Sequence, residues 1–260
     1  MNRLDNLFRT KKEKILSIYF TAGYPHLKSV EEIILVLEKN GADMIEIGIP
    51  YSDPLADGPV IQETSRIAIE NGMTLNNLFL QLKEIRKKTS IPLLLMGYIN
   101  PVLQFGFERF CRIASSTGID GIIIPDLPVA EYVRSFKETI VGNNLRNIFL
   151  VTPGTAEDRI RQIDDLSTGF IYLVSSSSIT GKTGSFGEEQ LNYFQAISKM
   201  SLRHPVMAGF GIHNSATLRQ VFSFGFGAII GSAYMRALNV DKPVEQATSE
   251  FFSTLADPDL

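Results

Sequence analysis

The chain of 260 residues carries 25 Lys and Arg against 28 Asp and Glu, is 44% hydrophobic and 20% charged, and has a single cysteine, Cys111. Near-balanced charge argues against nucleic-acid binding through bulk positive potential, and a lone cysteine excludes an internal disulfide framework and suits a reducing compartment. No apolar run approaches ~18 residues and Met1–Phe8 is of mixed charge, so neither a membrane span nor a secretory signal is expected and the chain reads as soluble and cytoplasmic.

In chain order, Leu4, Leu7 and Phe8 form a short apolar stripe, followed by an apolar run predicted as a strand over Ile15–Phe20. Val30–Lys39 places Val30, Ile33, Ile34 and Leu37 at the spacing of one buried helical face. A second strand is expected over Asp43–Ile49. The spacing then predicts helix over Thr74–Lys88 and strand over Pro92–Met96, helix over Gly106–Thr117 and strand over Gly121–Ile124. Helix over Ala130–Val141 precedes strand over Asn147–Val151, and helix over Ala156–Ser167 precedes strand over Phe170–Val174. Helix over Glu188–Met200, strand over Pro205–Ala208, helix over Ser215–Phe224 and strand over Gly227–Ile230 complete the series. A last stripe of Val244, Ala247, Phe251 and Leu255 closes the chain.

Near-continuous apolarity in all eight runs points to parallel strands covered on both faces. Strict alternation at ~32 residues per unit suits a (β/α)8 barrel, a TIM barrel, which also removes both sheet edges. A doubly wound open sheet is the alternative. The expectation is one barrel domain over residues 1–260, capped by extra N- and C-terminal helices that pack on the scaffold.

Alternation in the second strand puts Ile45, Ile47 and Ile49 on one face and Met44, Glu46 and Gly48 on the other. The isoleucine face meets the helices, so Glu46 points into the barrel, where burial raises a carboxyl pKa toward values useful for proton transfer. The competing role is a partner for a buried Lys or Arg, and none of the eight runs contains one. The following loop, Pro50–Pro59, holds Asp53 and Asp57 among three prolines and a glycine. Asp53 before Pro54 reads as a turn former. Asp57 reads equally as a turn or cap residue or as a second functional acid, and one βα loop is short enough to bring it beside Glu46.

The last two units run from strand into glycine and then helix, through Gly209-Phe210-Gly211-Ile212 and Gly231-Ser232-Ala233. Glycine lets backbone N–H groups approach an anion, and barrels hold phosphate after strands seven and eight. Tight βα turns alone would also explain these glycines. The segment Ser175–Gly184 is rich in small hydroxyl residues and predicts a mobile lid, in which Lys182 is either a phosphate contact or a solvated side chain. His26, His204 and His213 lack metal-type spacing, Cys111 falls in a helical stretch as a packing residue, and no strand ends in a Schiff-base lysine.

The segment Glu46-Ile47-Gly48-Ile49-Pro50-Tyr51-Ser52-Asp53-Pro54-Leu55-Ala56-Asp57-Gly58-Pro59 resembles the signature of the tryptophan synthase alpha chain family. Supporting pieces are Tyr19–Pro25, Gly97–Pro101, Pro125–Pro128 and Gly209–Ile212, and the resemblance runs almost end to end. It implies a lyase that cleaves indole-3-glycerol phosphate to indole and glyceraldehyde 3-phosphate in L-tryptophan biosynthesis. By the same resemblance Glu46 is the general acid/base and Asp57 accepts the indole N–H. Tyr172 lies beside the reacting side chain, and Gly181, Gly211, Gly231 and Ser232 hold phosphate. Tyr19 and Tyr98 are candidates for the indole pocket walls, with core packing as the other role.

The resemblance also implies a PLP-containing beta chain as partner in an αββα heterotetramer, meeting this chain near Asp53, Pro54, Asn100 and Pro101. No cofactor is expected in this chain, and no nucleic acid or membrane as partner. One departure is that Ser175–Gly181 lacks the arginine common in the family's loop, which bears on loop closure. Two other functions fit the residues less fully. One is a different phosphate-binding barrel such as a sugar-phosphate epimerase or isomerase; the other is a catalytically weak subunit that activates a beta chain.

Overall fold

The computed structural model describes residues 1–175 and 185–256. Its strands are β1 (Leu16–Thr21), β2 (Met44–Gly48), β3 (Leu93–Met96), β4 (Gly121–Ile123), β5 (Arg146–Val151), β6 (Ile171–Val174), β7 (Val206–Gly209) and β8 (Gly227–Ile230). Each pairs in parallel with the next and β8 pairs with β1, closing the barrel in sequence order. Closure decides between the two expected architectures in favour of the barrel.

The first helices are α1 (Arg3–Thr10), α2 (Val30–Lys39), α3 (Pro59–Glu70), α4 (Leu75–Leu82), α5 (Ile99–Phe105) and α6 (Phe107–Ser116). Then come α7 (Val129–Glu131), which runs through a π-helical turn at Tyr132–Phe136 into α8 (Lys137–Gly142), and α9 (Glu157–Leu166). The last are α10 (Glu188–Ser198), α11 (Ser215–Ser223), α12 (Ser232–Ala237) and α13 (Val244–Leu255). Residues Val30, Ile33, Ile34 and Leu37 are all fully buried, as the stripe in α2 predicts, and Glu31 and Glu32 in its first turn with Lys39 in its last complement the helix dipole.

The apolar interior has two parts. An outer shell between strands and helices includes Ile18, Phe20, Ile45, Ile47, Leu93 and Leu95. An inner cluster of Ile15, Met44, Leu94, Ile123, Ile148, Phe170, Met207 and Ile229 fills the barrel toward its N-terminal end. Helix α1 plugs that end: Leu4 is fully buried in the inner cluster, with Leu7 and Phe8 packed against it and the Phe8 ring 5.9 Å from that of Phe170. Buried Asp120 fastens the plug, accepting from the Arg3 N–H and guanidinium at 3.2 Å while its other oxygen takes Arg86 at 2.8 Å and the Leu93 N–H at 3.0 Å. The C-terminal helix does not cap an end. Its buried residues Val244, Ala247, Phe251 and Leu255 join the outer shell, and α13 packs against α2, α11 and α12. With the N-terminal mouth plugged, polar residues of the interior collect at the other end.

Candidate active site

Inward positions on β1 alternate as Ser17, Tyr19 and Thr21, and on β2 as Met44, Glu46 and Gly48, in the register Tyr19 to Glu46 and Thr21 to Gly48. Glu46 is fully buried. Its Oε1 accepts from the Ser17 hydroxyl at 3.0 Å, and among the described residues Oε2 has no hydrogen-bond partner. Burial pushes the Glu46 carboxyl up to about 8 against the opposing Ser17 bond, so it carries its proton at neutral pH. No described Lys or Arg pairs with it, so the reading of Glu46 as half of a buried ion pair is excluded among the described residues.

Asp57 lies in the loop between β2 and α3, where turns formed by Leu55 N–H to Asp53 O at 2.9 Å and Asp57 N–H to Pro54 O at 3.1 Å fold the chain back. Asp53 is thus the turn residue its place before Pro54 suggests, and it is exposed. The Asp57 carboxylate accepts the Tyr98 hydroxyl at 3.1 Å, and that hydroxyl accepts the Ala56 N–H at 2.9 Å. Burial raises Asp57 to about 6 and the Tyr98 bond holds it from going higher, so it is largely ionised at pH 7.

Two tyrosines tie the acids into one site. Tyr19 and Tyr172 are both pushed up by burial, and the ionised forms of Asp57 and Glu46 raise each further. Room for their hydroxyls comes from missing side chains: a Cβ on Gly48 would lie 2.1 Å from the Tyr19 oxygen, and one on Gly209 2.3 Å from the Tyr172 oxygen. The base of the Tyr19 side chain meets Gly231, where a Cβ would sit 3.4 Å from the nearest ring carbon. Gly231 precedes Ser232 at the start of α12, and Gly211 follows Phe210 at the end of β7, with a Cβ there 3.0 Å from the Phe186 ring. The site residues Glu46, Asp57, Tyr19, Tyr98 and Tyr172 therefore share one end of the barrel with the two glycine turns. Gly181, Lys182 and the rest of the proposed lid from Ser176 to Gly184 lie outside the described residues.

Several neighbours escaped sequence reasoning. Ser17 supports Glu46, and the polar alternation Ser17, Tyr19, Thr21 in an apolar strand was the available signal. Tyr51 packs its ring, tilted by 35°, against Tyr98 at 5.3 Å, and its hydroxyl accepts from Asn100 at 3.1 Å, joining the loop after β2 to the start of α5. Phe210 sets its ring edge-on to Tyr172 at 6.4 Å, a contact that the glycine turn around it in the sequence did not reveal. Among the described residues no three His, Cys, Asp or Glu side chains gather as a metal site, and no helix is long and apolar enough to cross a membrane.

A neutral carboxylic acid and a carboxylate at one mouth can donate a proton to one atom of a bound molecule while stabilising positive charge on another. The description of one protein family, the tryptophan synthase alpha chain, matches residues 6–256. The chain is 54% identical over 254 residues to the tryptophan synthase alpha chain of Flavobacterium psychrophilum, covering 97% of this chain and 100% of that one. It is 48% identical over 255 residues to that of Parabacteroides distasonis, covering 98% and 99%. Among solved structures, tryptophan synthase subunit alpha from Legionella pneumophila is similar with a TM-score of 0.88 at 32% identity, over 98% and 97% of the two chains. A chain of the tryptophan synthase complex from Pyrococcus furiosus is similar with a TM-score of 0.85 at 32% identity, over 94% and 98%. Agreement in sequence and in fold over nearly the same full span means that this chain belongs to the tryptophan synthase alpha chain family.

Proposed function

We propose that this chain, as one (β/α)8 domain, cleaves indole-3-glycerol phosphate to indole and glyceraldehyde 3-phosphate through Glu46 and Asp57. The observation that carries the reading is the pair of carboxyls at one mouth, Glu46 fully buried with Oε2 unpartnered among the described residues and Asp57 held by the Tyr98 hydroxyl, surroundings that favour a neutral acid in the first and a carboxylate in the second. Glu46, neutral at pH 7, gives its proton to indole C3. The ring becomes an indolium cation whose N–H donates to the Asp57 carboxylate, a fixed negative group at the developing charge. Glu46, now ionised, takes the proton of the side-chain hydroxyl. The carbonyl of glyceraldehyde 3-phosphate forms, the carbon–carbon bond breaks, and its electron pair restores the neutral indole ring. Glu46 ends as it began, protonated.

Tyr172 lies beside the reacting side chain and Tyr19 and Tyr98 wall the ring. Backbone amides at Gly211, Gly231 and Ser232, joined by Gly181, hold the phosphate. The chemistry calls on no cofactor in this chain; PLP belongs to a beta-chain partner in an αββα assembly, and the cytoplasm is the compartment. Exposed Asp53 and Asn100, with Pro54 and Pro101, form the surface for that partner, joined across the mouth by the Tyr51–Asn100 bond.

The test is indole release from indole-3-glycerol phosphate by the full chain, alone and with a beta chain, beside epimerase and isomerase assays on sugar phosphates. Indole release alone supports the reading. Turnover of sugar phosphates, or stimulation of the beta chain with no cleavage, would replace it with one of the two rivals.

A further inference from the structure

After β7 the chain turns through two successive left-handed residues, φ +71° at Phe210 and +77° at Gly211. Glycine adopts this freely, whereas phenylalanine does so only when its surroundings hold it there. The carbonyls of the turn are held one by one. The Ser175 hydroxyl lies 3.0 Å from the Gly209 oxygen and 2.6 Å from the Phe210 oxygen, and the Ser175 N–H donates to Gly209 at 3.2 Å. The Gly211 carbonyl accepts from Nδ1 of His213 at 2.7 Å.

The state of that imidazole follows from its partners. A carbonyl only accepts, so Nδ1 carries the hydrogen. Nε2 faces Nδ2 of Asn214 at 3.3 Å. The Asn214 amide is oriented from its other side, because its Oδ1 accepts the Thr217 N–H at 2.9 Å as the N-cap of α11. Its NH2 group is therefore what meets the ring at Nε2, while Nδ1 is the nitrogen that donates to Gly211.

In a trans peptide the C=O and N–H point opposite ways, so holding a carbonyl aims the next residue's N–H. Ser175 in this way aims the Phe210 and Gly211 amides, and His213 aims the amide of Ile212. We propose that His213 is a positioning residue for phosphate: it keeps the Gly211 carbonyl turned away so that the Gly211–Ile212 peptide presents its N–H to the anion. Successive N–H groups in such a turn form a concavity for a negative charge, and a carbonyl swung inward would oppose it. The proposal rests on the reading that the phosphate of indole-3-glycerol phosphate sits at this turn.

The experiment measures kcat and KM for indole release and the dissociation constant of glycerol 3-phosphate, on the full chain and its His213 variants. In His213→Asn the side-chain NH2 replaces Nδ1, whereas in His213→Gln it replaces Nε2 and the bond to Gly211 is lost. Loss of one such bond corresponds to a ~5- to 10-fold rise in KM and in the glycerol 3-phosphate constant for His213→Gln, with kcat within about twofold. His213→Asn restores both constants to within about twofold of the parent chain. His213→Ala, which also lacks the donor, gives the same rise and serves where the Gln variant does not fold.

Equal weakening in Asn and Gln overturns the proposal, as does no weakening in Gln or Ala. Restoration by His213→Lys but not by Asn overturns it too, because the residue then acts through charge. If the parent chain neither binds glycerol 3-phosphate nor releases indole, it is the phosphate reading of the turn that fails; if it does both and all variants match it, only the role of His213 fails.

Discussion

The Tyr98 hydroxyl, two residues beyond β3, donates to Oδ2 of Asp57 at 3.1 Å across 41 positions of sequence, while accepting the Ala56 N–H from the same loop. It thus both shapes the loop after β2 and stabilises the charged form of an acid that burial drives toward neutrality. The difference in charge between Asp57 and Glu46 depends on this bond.

For the parent chain, kcat/KM requires ionised Asp57 and protonated Glu46, so its pH profile is a bell with limbs near 6 and 8. Tyr98→Phe removes the donor and moves the lower limb upward by about one to two units, since a hydrogen bond to a charged group is worth ~1.5–3 kcal/mol. The upper limb stays in place. An unmoved lower limb in Tyr98→Phe contradicts the role of the bond.

Stability depends on pH through the same burial. The Glu46 carboxyl has a folded pKa raised from 4.5 to about 8, so between those values the folded chain keeps a proton that the unfolded chain releases. Its contribution is complete below pH 4.5 and is lost as pH rises through 8. Glu46→Gln lacks this loss, so its stability relative to the parent chain improves by about 1.4 kcal/mol per pH unit across the window and levels off above it. Denaturant unfolding of the two proteins from pH 5 to 9 measures the slope; a flat difference means Glu46 is not buried as a neutral acid.

Gly209→Ala drives a methyl group into the Tyr172 hydroxyl, 2.3 Å from the Cβ position, with ring carbons at 2.6 Å. Overpacking of this kind costs ~1–3 kcal/mol. Thermal melting of Gly209→Ala should show that loss together with reduced indole release, because Tyr172 must leave its place. Parent-like values in both would mean the ring moves without consequence.

Glu46→Gln and Asp57→Asn each remove an ionisable group while keeping shape. Indole release in each falls at least ~10²-fold with the circular dichroism spectrum retained. Near-normal turnover in either variant rejects that residue's role.

Strands were legible in the sequence to within a residue or two, because a strand covered on both faces is apolar throughout and shows its ends where polar residues begin. Helix α3 was not. Its buried positions Ile61, Thr64, Ser65 and Ala68 keep helical spacing, but two of them are hydroxyl residues, so the stripe is invisible to a hydrophobic pattern. The short α5 and α12 have seven and six residues and offer too few turns for periodicity to register. Glu46 could be placed by alternation alone. The convergence of Asp57 on the same mouth could not, because it depends on Tyr98 from the next unit, and the left-handed Phe210 is a tertiary choice that local preference opposes.

The most direct measurement is infrared titration of the carboxyl C=O stretch in the full chain, with Glu46→Gln and Asp57→Asn as assignments. A protonated carboxyl band is expected at pH 7 that fades with a midpoint near 8, is absent from Glu46→Gln and persists in Asp57→Asn. A Glu46 that loses its proton near the ordinary value of ~4.3 would contradict it.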